Sequence, residues 1–237
     1  MTMSGLDRSL IAALPPFAGA GPAQLDAVLD EARSVYRARG SSLYEQDKPA
    51  DSFFVLLHGR LRVTRLTPDG RQVVVRFAGP GELVGVAVAL GRDTYPATAA
   101  AAVDSVALAW PSARWPQMLG LLPALAGAAL QAAGARLHDA HSRIVELSTE
   151  QVERRVANAL VRLSETTGRR VEQGILIDFP ISRQDVAEAT GTTLHNVSRI
   201  LSAWEERGWV KGGRQRIVIC EPHRLMSLGE GYPANRG

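Results

Sequence analysis

The stretch from Ile181 to Cys220 leaves the chain few ways to fold. Ser182-Arg183-Gln184-Asp185 places an acidic residue three positions after a serine, the spacing of a capping box that opens a helix. Val186, Ala187 and Ala189 supply a short apolar face, and Gly191 then permits a sharp turn. Thr192 or Thr193 can cap a second helix, with Leu194, Val197, Ile200, Leu201 and Trp204 as its apolar stripe. A glycine-rich basic hairpin follows at Gly212-Gly213-Arg214-Gln215-Arg216.

Two short helices joined through a glycine match the helix-turn-helix, whose second helix enters the DNA major groove. On that second helix His195, Ser198 and Arg199 stand three and four apart, away from the apolar stripe. Arginine can bond bidentately to guanine, serine is adaptable, and histidine can donate or accept at a base edge. These three are the expected base readers. Backbone contacts are expected from Ser182, Arg183, Gln184, Thr192 and Thr193 at helix starts, and from Arg214 and Arg216 on the wing tip. A solvated helix pair in an unrelated all-α domain would need none of this agreement between caps, turn, polar face and basic wing. Trp204 and Trp209 suit the core of such a unit better than base stacking.

Upstream the pattern is different. Leu6, Leu10 and Leu14 repeat at four before Pro15-Pro16, and Leu25, Val28 and Leu29 follow Pro22, giving short helices. From about Arg37 to Trp110 short apolar runs alternate with turn residues, among them Phe53–Leu57, Leu61–Val63, Val73–Val75 and Ser105–Leu108. Pro68-Asp69-Gly70 between two such runs is a hairpin signal, because proline presets one dihedral and glycine accepts positive φ. Short strands at this spacing predict an antiparallel barrel or sandwich.

Between Pro116 and Leu147 the period becomes helical. Leu130, Ala133, Leu137, Ala140, Ile144 and Leu147 alternate steps of three and four, the seam of a coiled-coil helix. An ordinary core helix has the same spacing, so periodicity alone leaves dimerisation open. Val152, Val156, Leu160 and Leu163 predict a further helix ending near Gly168, and Ile175-Leu176-Ile177 a short strand.

ISRQDVAEATGTTLHNVSRILSAWEERGWVKGGRQRIVI resembles the winged helix-turn-helix of the CRP/FNR regulators, and PADSFFVLLHGRLRVTRLTPDGRQVVVRFAGPGELVG resembles their sensor β-roll. The resemblance implies an α+β fold: a cyclic-nucleotide-binding-like β-roll, a long dimerisation helix and a winged helix-turn-helix. The expected parts are a sensor over residues 1–115, the dimerisation helix over 116–147, the DNA-binding domain over 148–228 and a flexible tail over 229–237. It also implies a homodimer on an inverted-repeat operator, with RNA polymerase as a further partner. His195 stands where many members carry glutamate, which implies a different base pair at that point of the half-site.

The same resemblance outlines an effector pocket from Gly81, Glu82, Gly85, Val86, Tyr95, Pro96 and Ala97. Cyclic-nucleotide members use a glutamate for the ribose and an Arg-Ser pair for the phosphate. Those positions fall on Val86 and near Tyr95-Pro96-Ala97, so cyclic AMP is disfavoured, since a buried phosphate needs a cationic partner. A single cysteine, Cys220, cannot hold an iron–sulfur cluster and reads as a packed strand residue. The Tyr-Pro-Ala-Thr segment and the Thr-Thr-Leu-His helix start are weakly similar to the nitrogen-oxide-responsive members. Haem with a gas such as nitric oxide therefore stays open, with His58, His138 and His141 as available ligands, alongside organic effectors and control by abundance alone.

Enzyme classes fit poorly. Gly79, Gly81 and Gly85 lie in a strand-turn-strand context, not the strand-to-helix turn of a dinucleotide site, and the barrel region's one histidine cannot build an oxygenase metal centre. With 46% hydrophobic and 22% charged residues the chain is neither disordered nor strongly charged, and its net charge of +3 says little about nucleic acid. No leader or membrane span is apparent, so a cytoplasmic location is expected. The competing class is a cyclic-nucleotide-type ligand-binding module whose C-terminal unit serves protein interaction.

Overall fold

The computed structural model describes residues 8–230 and divides into two compact units. One contains the chain through Arg71 together with Val75–Asp139; the other contains Gln72–Val74 and the chain from Ala140 onward.

The first unit opens with α1 (Arg8–Ala12) and α2 (Pro22–Asp30), the latter starting on a proline whose missing N–H costs a first turn nothing. Leu6 of the expected first turn lies outside the described residues. Eight strands follow: β1 (Arg33–Arg37), β2 (Ser42–Tyr44), β3 (Ser52–His58), β4 (Leu61–Leu66), β5 (Gln72–Ala78), β6 (Leu83–Val84), β7 (Thr98–Ala101) and β8 (Ser105–Pro111). They form two four-stranded sheets, ordered β1-β8-β3-β6 and β2-β7-β4-β5. The Pro-Asp-Gly hairpin is present between β4 and β5, with Gly70 at φ 80° and its N–H donating to Thr67 O at 2.9 Å.

Two apolar cores result. Phe53, Val55, Val86 and Trp110 pack with Ile11, Phe17 and Val28 from the N-terminal helices, and the Trp110 indole donates to Val28 O at 2.8 Å. On the other face of β3, Phe54 and Leu56 point into the roll with Leu61, Ala78, Tyr95 and Ala109. The alternation of Phe53 and Phe54 between these cores follows from the two-residue period of a strand.

The single helical run expected from Pro116 is two helices, α3 (Trp115–Leu121) and α4 (Ala124–Thr149), and the segment Ser112–Leu121 is bent 119° from α4. The break falls at Leu122, which adopts φ −138°, ψ 82°. A residue before proline is driven out of the α region, and Pro123 has no N–H to continue the ladder. No single helix among the described residues is long and apolar enough to cross a membrane.

The second unit takes the end of α4 and continues with α5 (Val152–Thr167), β9 (Gly168–Val171), β10 (Gly174–Ile177), α6 (Arg183–Thr190), α7 (Leu194–Glu206), β11 (Val210–Gly213), β12 (Arg216–Ile219) and α8 (Pro222–Glu230). Its strands pair antiparallel in the order β11-β12-β10-β9. Trp204 is fully buried and its indole donates to Glu153 Oε1 at 3.0 Å, tying α7 to α5. Residues 229 and 230 of the expected tail belong to α8, and the rest of that segment lies outside the described residues.

Candidate nucleic-acid interface

Local chemistry builds the α6-turn-α7 pair. The Ser182 backbone N–H donates to Asp185 Oδ2 at 2.8 Å, and the Asp185 N–H donates to Ser182 Oγ at 3.1 Å, closing the capping box. Gly191 ends α6 in the left-handed region at φ 63°. Thr193 is the cap of α7, its hydroxyl accepting from the Asn196 N–H at 3.2 Å, while Thr192 Oγ1 accepts from the Asn196 side chain at 3.0 Å. Val197, Ile200, Leu201 and Trp204 are buried, and each contributes roughly 1.5–3 kcal/mol by leaving water. That stripe fixes which face of α7 remains outside.

The outer face carries the expected residues. His195 and Arg199 are exposed and Ser198 is half-buried beside them. Leu194 departs from the expected stripe: it is 47% exposed, because as the first residue of α7 it precedes the turn that meets α6. Leu194, His195, Ser198 and Arg199 therefore share one outward face. The signal for this was available in the spacing, since Leu194 pairs with Ser198 at i,i+4 as His195 does with Arg199.

Around that face the polar groups differ in freedom. Arg183 Nη2 donates to Glu205 Oε1 at 2.9 Å and to Oε2 at 3.2 Å, so this guanidinium is ion-paired across α6 and α7. A Cβ on Gly212 would meet Glu205 Oε1 at 2.1 Å, so a side chain here would displace the Glu205 carboxylate from its present position. Gln184 is exposed and donates to Glu188 Oε1 at 2.9 Å. Lys211, Arg214 and Arg216 are exposed along the β11–β12 hairpin, whose turn residue Gln215 has φ 57°. Arg207 lies over the Trp209 ring at 5.2 Å.

Along α4 the large seam residues face solvent in the single chain: Leu130 is 74% exposed, Leu137 59%, Ile144 62% and Leu147 47%. Ala133 and Ala140 leave room between them.

The residues outlined as an effector pocket do not all meet. Val86 is buried in the core with the N-terminal helices, whereas Tyr95 belongs to the interior of the roll. Tyr95 stacks on Tyr44 at 4.3 Å, Tyr44 stacks on Phe54 at 5.8 Å, and the Tyr95 hydroxyl donates to Ser52 O at 2.6 Å. Gly85, at φ 70°, admits this stack, since a Cβ there would lie 2.9 Å from the Phe54 ring. Pro96 is exposed, Ala97 is partly buried against the roll, and Gly81 sits in a turn at φ 83°. Glu82 is committed to Arg76 by an ion pair and to the Gly79 N–H at 2.7 Å.

One cation of this unit was not foreseen. Arg136 of α4 donates to Leu83 O at 3.2 Å, and burial pulls its pKa below the ordinary arginine range, with the neighbouring charge of Arg76 adding to the effect. Burial pushes the Tyr44 phenol up, while Arg76 and Arg136 pull it back. His58, His138 and His141 are exposed, and no three His, Cys, Asp or Glu side chains gather as a metal-binding group among the described residues.

Comparison with known proteins agrees with this division. The model of the cyclic nucleotide-binding domain matches residues 35–120, and that of the Crp-like helix-turn-helix domain matches residues 154–228. The chain belongs to the CRP/FNR family of DNA-binding transcription regulators. Within that family it is 28% identical over 196 residues to the nitrogen fixation regulation protein FixK of Bradyrhizobium diazoefficiens, covering 83% of this chain and 81% of the relative. It is 22% identical over 211 residues to the CRP-like cAMP-activated global transcriptional regulator of Mycobacterium tuberculosis, covering 88% of this chain and 93% of the relative. The structure of FixK2 from Bradyrhizobium japonicum superposes with a TM-score of 0.71 at 24% identity, over 83% of this chain and 96% of that one, and shares the CRP/FNR fold.

Proposed function

We propose that the chain works as a homodimer whose two α7 helices read the half-sites of an inverted-repeat operator. The observation that carries this is the outward quartet on α7, held in place by a buried stripe on one side and a basic wing on the other. Arg199 bonds a guanine edge, His195 and Ser198 read neighbouring positions, and the exposed Leu194 meets a thymine methyl. Ser182, Gln184, Thr192, Thr193, Arg214 and Arg216 contact the sugar-phosphate backbone, which positions the unit without reading sequence. Arg183 joins them only when Glu205 releases it.

The dimer forms along α4. Leu130, Leu137, Ile144 and Leu147 gain a partner by pairing with a second α4, with Ala133 and Ala140 allowing close approach. Such a pair holds the two recognition helices at a fixed separation, about one turn of DNA apart. RNA polymerase as a further partner and a cytoplasmic site of action are part of this proposal, taken from the family resemblance. The test is the base preference of Arg199→Ala, set out in the Discussion.

The roll is the sensor, and its chemistry favours a small anion over a cyclic nucleotide. Val86 and Tyr95-Pro96-Ala97 supply neither the ribose carboxylate nor the phosphate arginine that the cyclic-nucleotide members use. Arg76 and Arg136 do supply positive charge near Tyr44, and Glu82 is ion-paired with only the first of them.

A further inference from the structure

The C-terminal end of α6 is gripped by two arginines that lie outside the helix-turn-helix. Arg143, in the last turns of α4, donates through Nη2 to Glu188 O at 2.9 Å. Arg155, in the first turn of α5, donates through Nε to Thr190 O at 3.1 Å and through Nη1 to Glu150 O at 2.8 Å. The last four carbonyls of a helix have no partner within it, and they form its negative end. In α6, Ala187 O is satisfied by the N–H groups of Gly191 and Thr192, and the two guanidinium groups take Glu188 O and Thr190 O.

Arg155 is only 9% exposed, so this buried charge is answered by backbone oxygens. Burial also lowers the Arg143 pKa, with Glu146 acting to raise it and Arg162 to lower it. Close packing accompanies the bonds. A Cβ on Gly191 would lie 2.9 Å from Leu147 Cδ2, so the α6–α7 turn rests directly on the last turn of α4. Arg143 and Leu147 are one helical turn apart, and Ile144 and Leu147 are seam residues.

We infer that Arg143 is a positioning residue for operator recognition: it locks α6 to the same helical turn that pairs the two subunits, and so sets the angle at which each α7 meets its half-site. This rests on the dimeric reading above. Arg143 touches no base in this arrangement. Its effect is on how well two half-sites are engaged together, because loosening a rigid pair of readers lowers their effective concentration for each other.

The experiment uses the full chain, a duplex carrying the selected inverted repeat, the same repeat with its spacer lengthened by one base pair, and a single half-site. The Arg143→Ala variant is expected to bind the native repeat at least ten-fold more weakly and to lose most of its preference for the native spacer. Half-site affinity and dimeric sedimentation stay unchanged, and Arg143→Lys restores part of the spacer preference. An unchanged spacer preference overturns the inference, and so does an equal loss on half-site and repeat, which marks general damage to the unit. Failure of the dimeric reading shows itself separately, as wild-type protein that sediments as a monomer or treats repeat and half-site alike.

Discussion

Arg183 and Glu205 are joined by two hydrogen bonds, at 2.9 and 3.2 Å, across helices α6 and α7. The pair is about a third exposed on each side, so its Coulomb energy is screened and its direct stabilising effect is small. In the proposed reading its larger consequence is that Glu205 keeps one cation from the DNA backbone. Glu205→Ala should strengthen binding to every duplex alike and steepen the log–log salt dependence by about one phosphate contact. A salt slope equal to that of the wild type would show that Arg183 does not take up a phosphate once released.

Arg199→Ala should cost about 1–3 kcal/mol at the preferred site and relax the preference at one base pair of each half-site. Competition titrations with single-base operator variants measure both effects. An equal loss on random and preferred DNA would assign Arg199 to the backbone.

Gly191 occupies φ 63° with Leu147 directly over it. A side chain here meets both the left-handed penalty, about 1–2 kcal/mol, and a steric clash. Gly191→Ala should lower the denaturation midpoint of the second unit, and Gly191→Asn should be tolerated better on conformational grounds. An alanine variant as stable as the wild type would mean that the turn relaxes freely.

Leu137→Asp puts like charges across the α4 seam and should give a monomer in sedimentation velocity. Its affinity for an inverted repeat should fall to that for a half-site. A variant that still sediments as a dimer would place the interface elsewhere.

Arg136 tests the sensor. At constant ionic strength, phosphate or citrate in place of chloride should raise the wild-type melting temperature, because a ligand bound to the native state alone stabilises it by mass action. Arg136→Gln should abolish that rise, while cyclic AMP should add nothing to either protein. An identical response from wild type and variant would remove the anion reading of the roll and leave the DNA-binding reading untouched.

Much of the DNA-binding unit was legible because its signals are local. The Ser182–Asp185 box, the left-handed Gly191 and the Thr193 cap each act within four residues, so spacing alone locates them. The hairpin at Gly70 is of the same kind. What spacing did not reveal depends on contacts far apart in the chain. Leu194 has an apolar neighbour pattern but precedes the first turn of α7 that packs, so it is exposed. Strand β9 and helix α8 have weak patterns and are held by partners: β9 pairs with β10, and Arg154 of α5 donates to Gly229 O of α8 at 2.9 Å. Pro123 stands in the sequence between α3 and α4, yet the helical period that follows it reads as one run from Pro116. Among the residues of the outlined effector pocket, Val86 packs in one core and Tyr95 in the other, a division set by long-range packing that spacing does not encode.

The most direct test of operator recognition is selection of binding sites from random duplex DNA, using the ligand-free protein at near-physiological salt. A dimeric reader built on α4 and α7 should recover an inverted repeat whose half-sites are centred about one helical turn apart. Recovery of no common sequence, with equally weak binding to all duplexes even at low salt, would contradict it and favour a ligand-binding module whose second unit serves protein contacts.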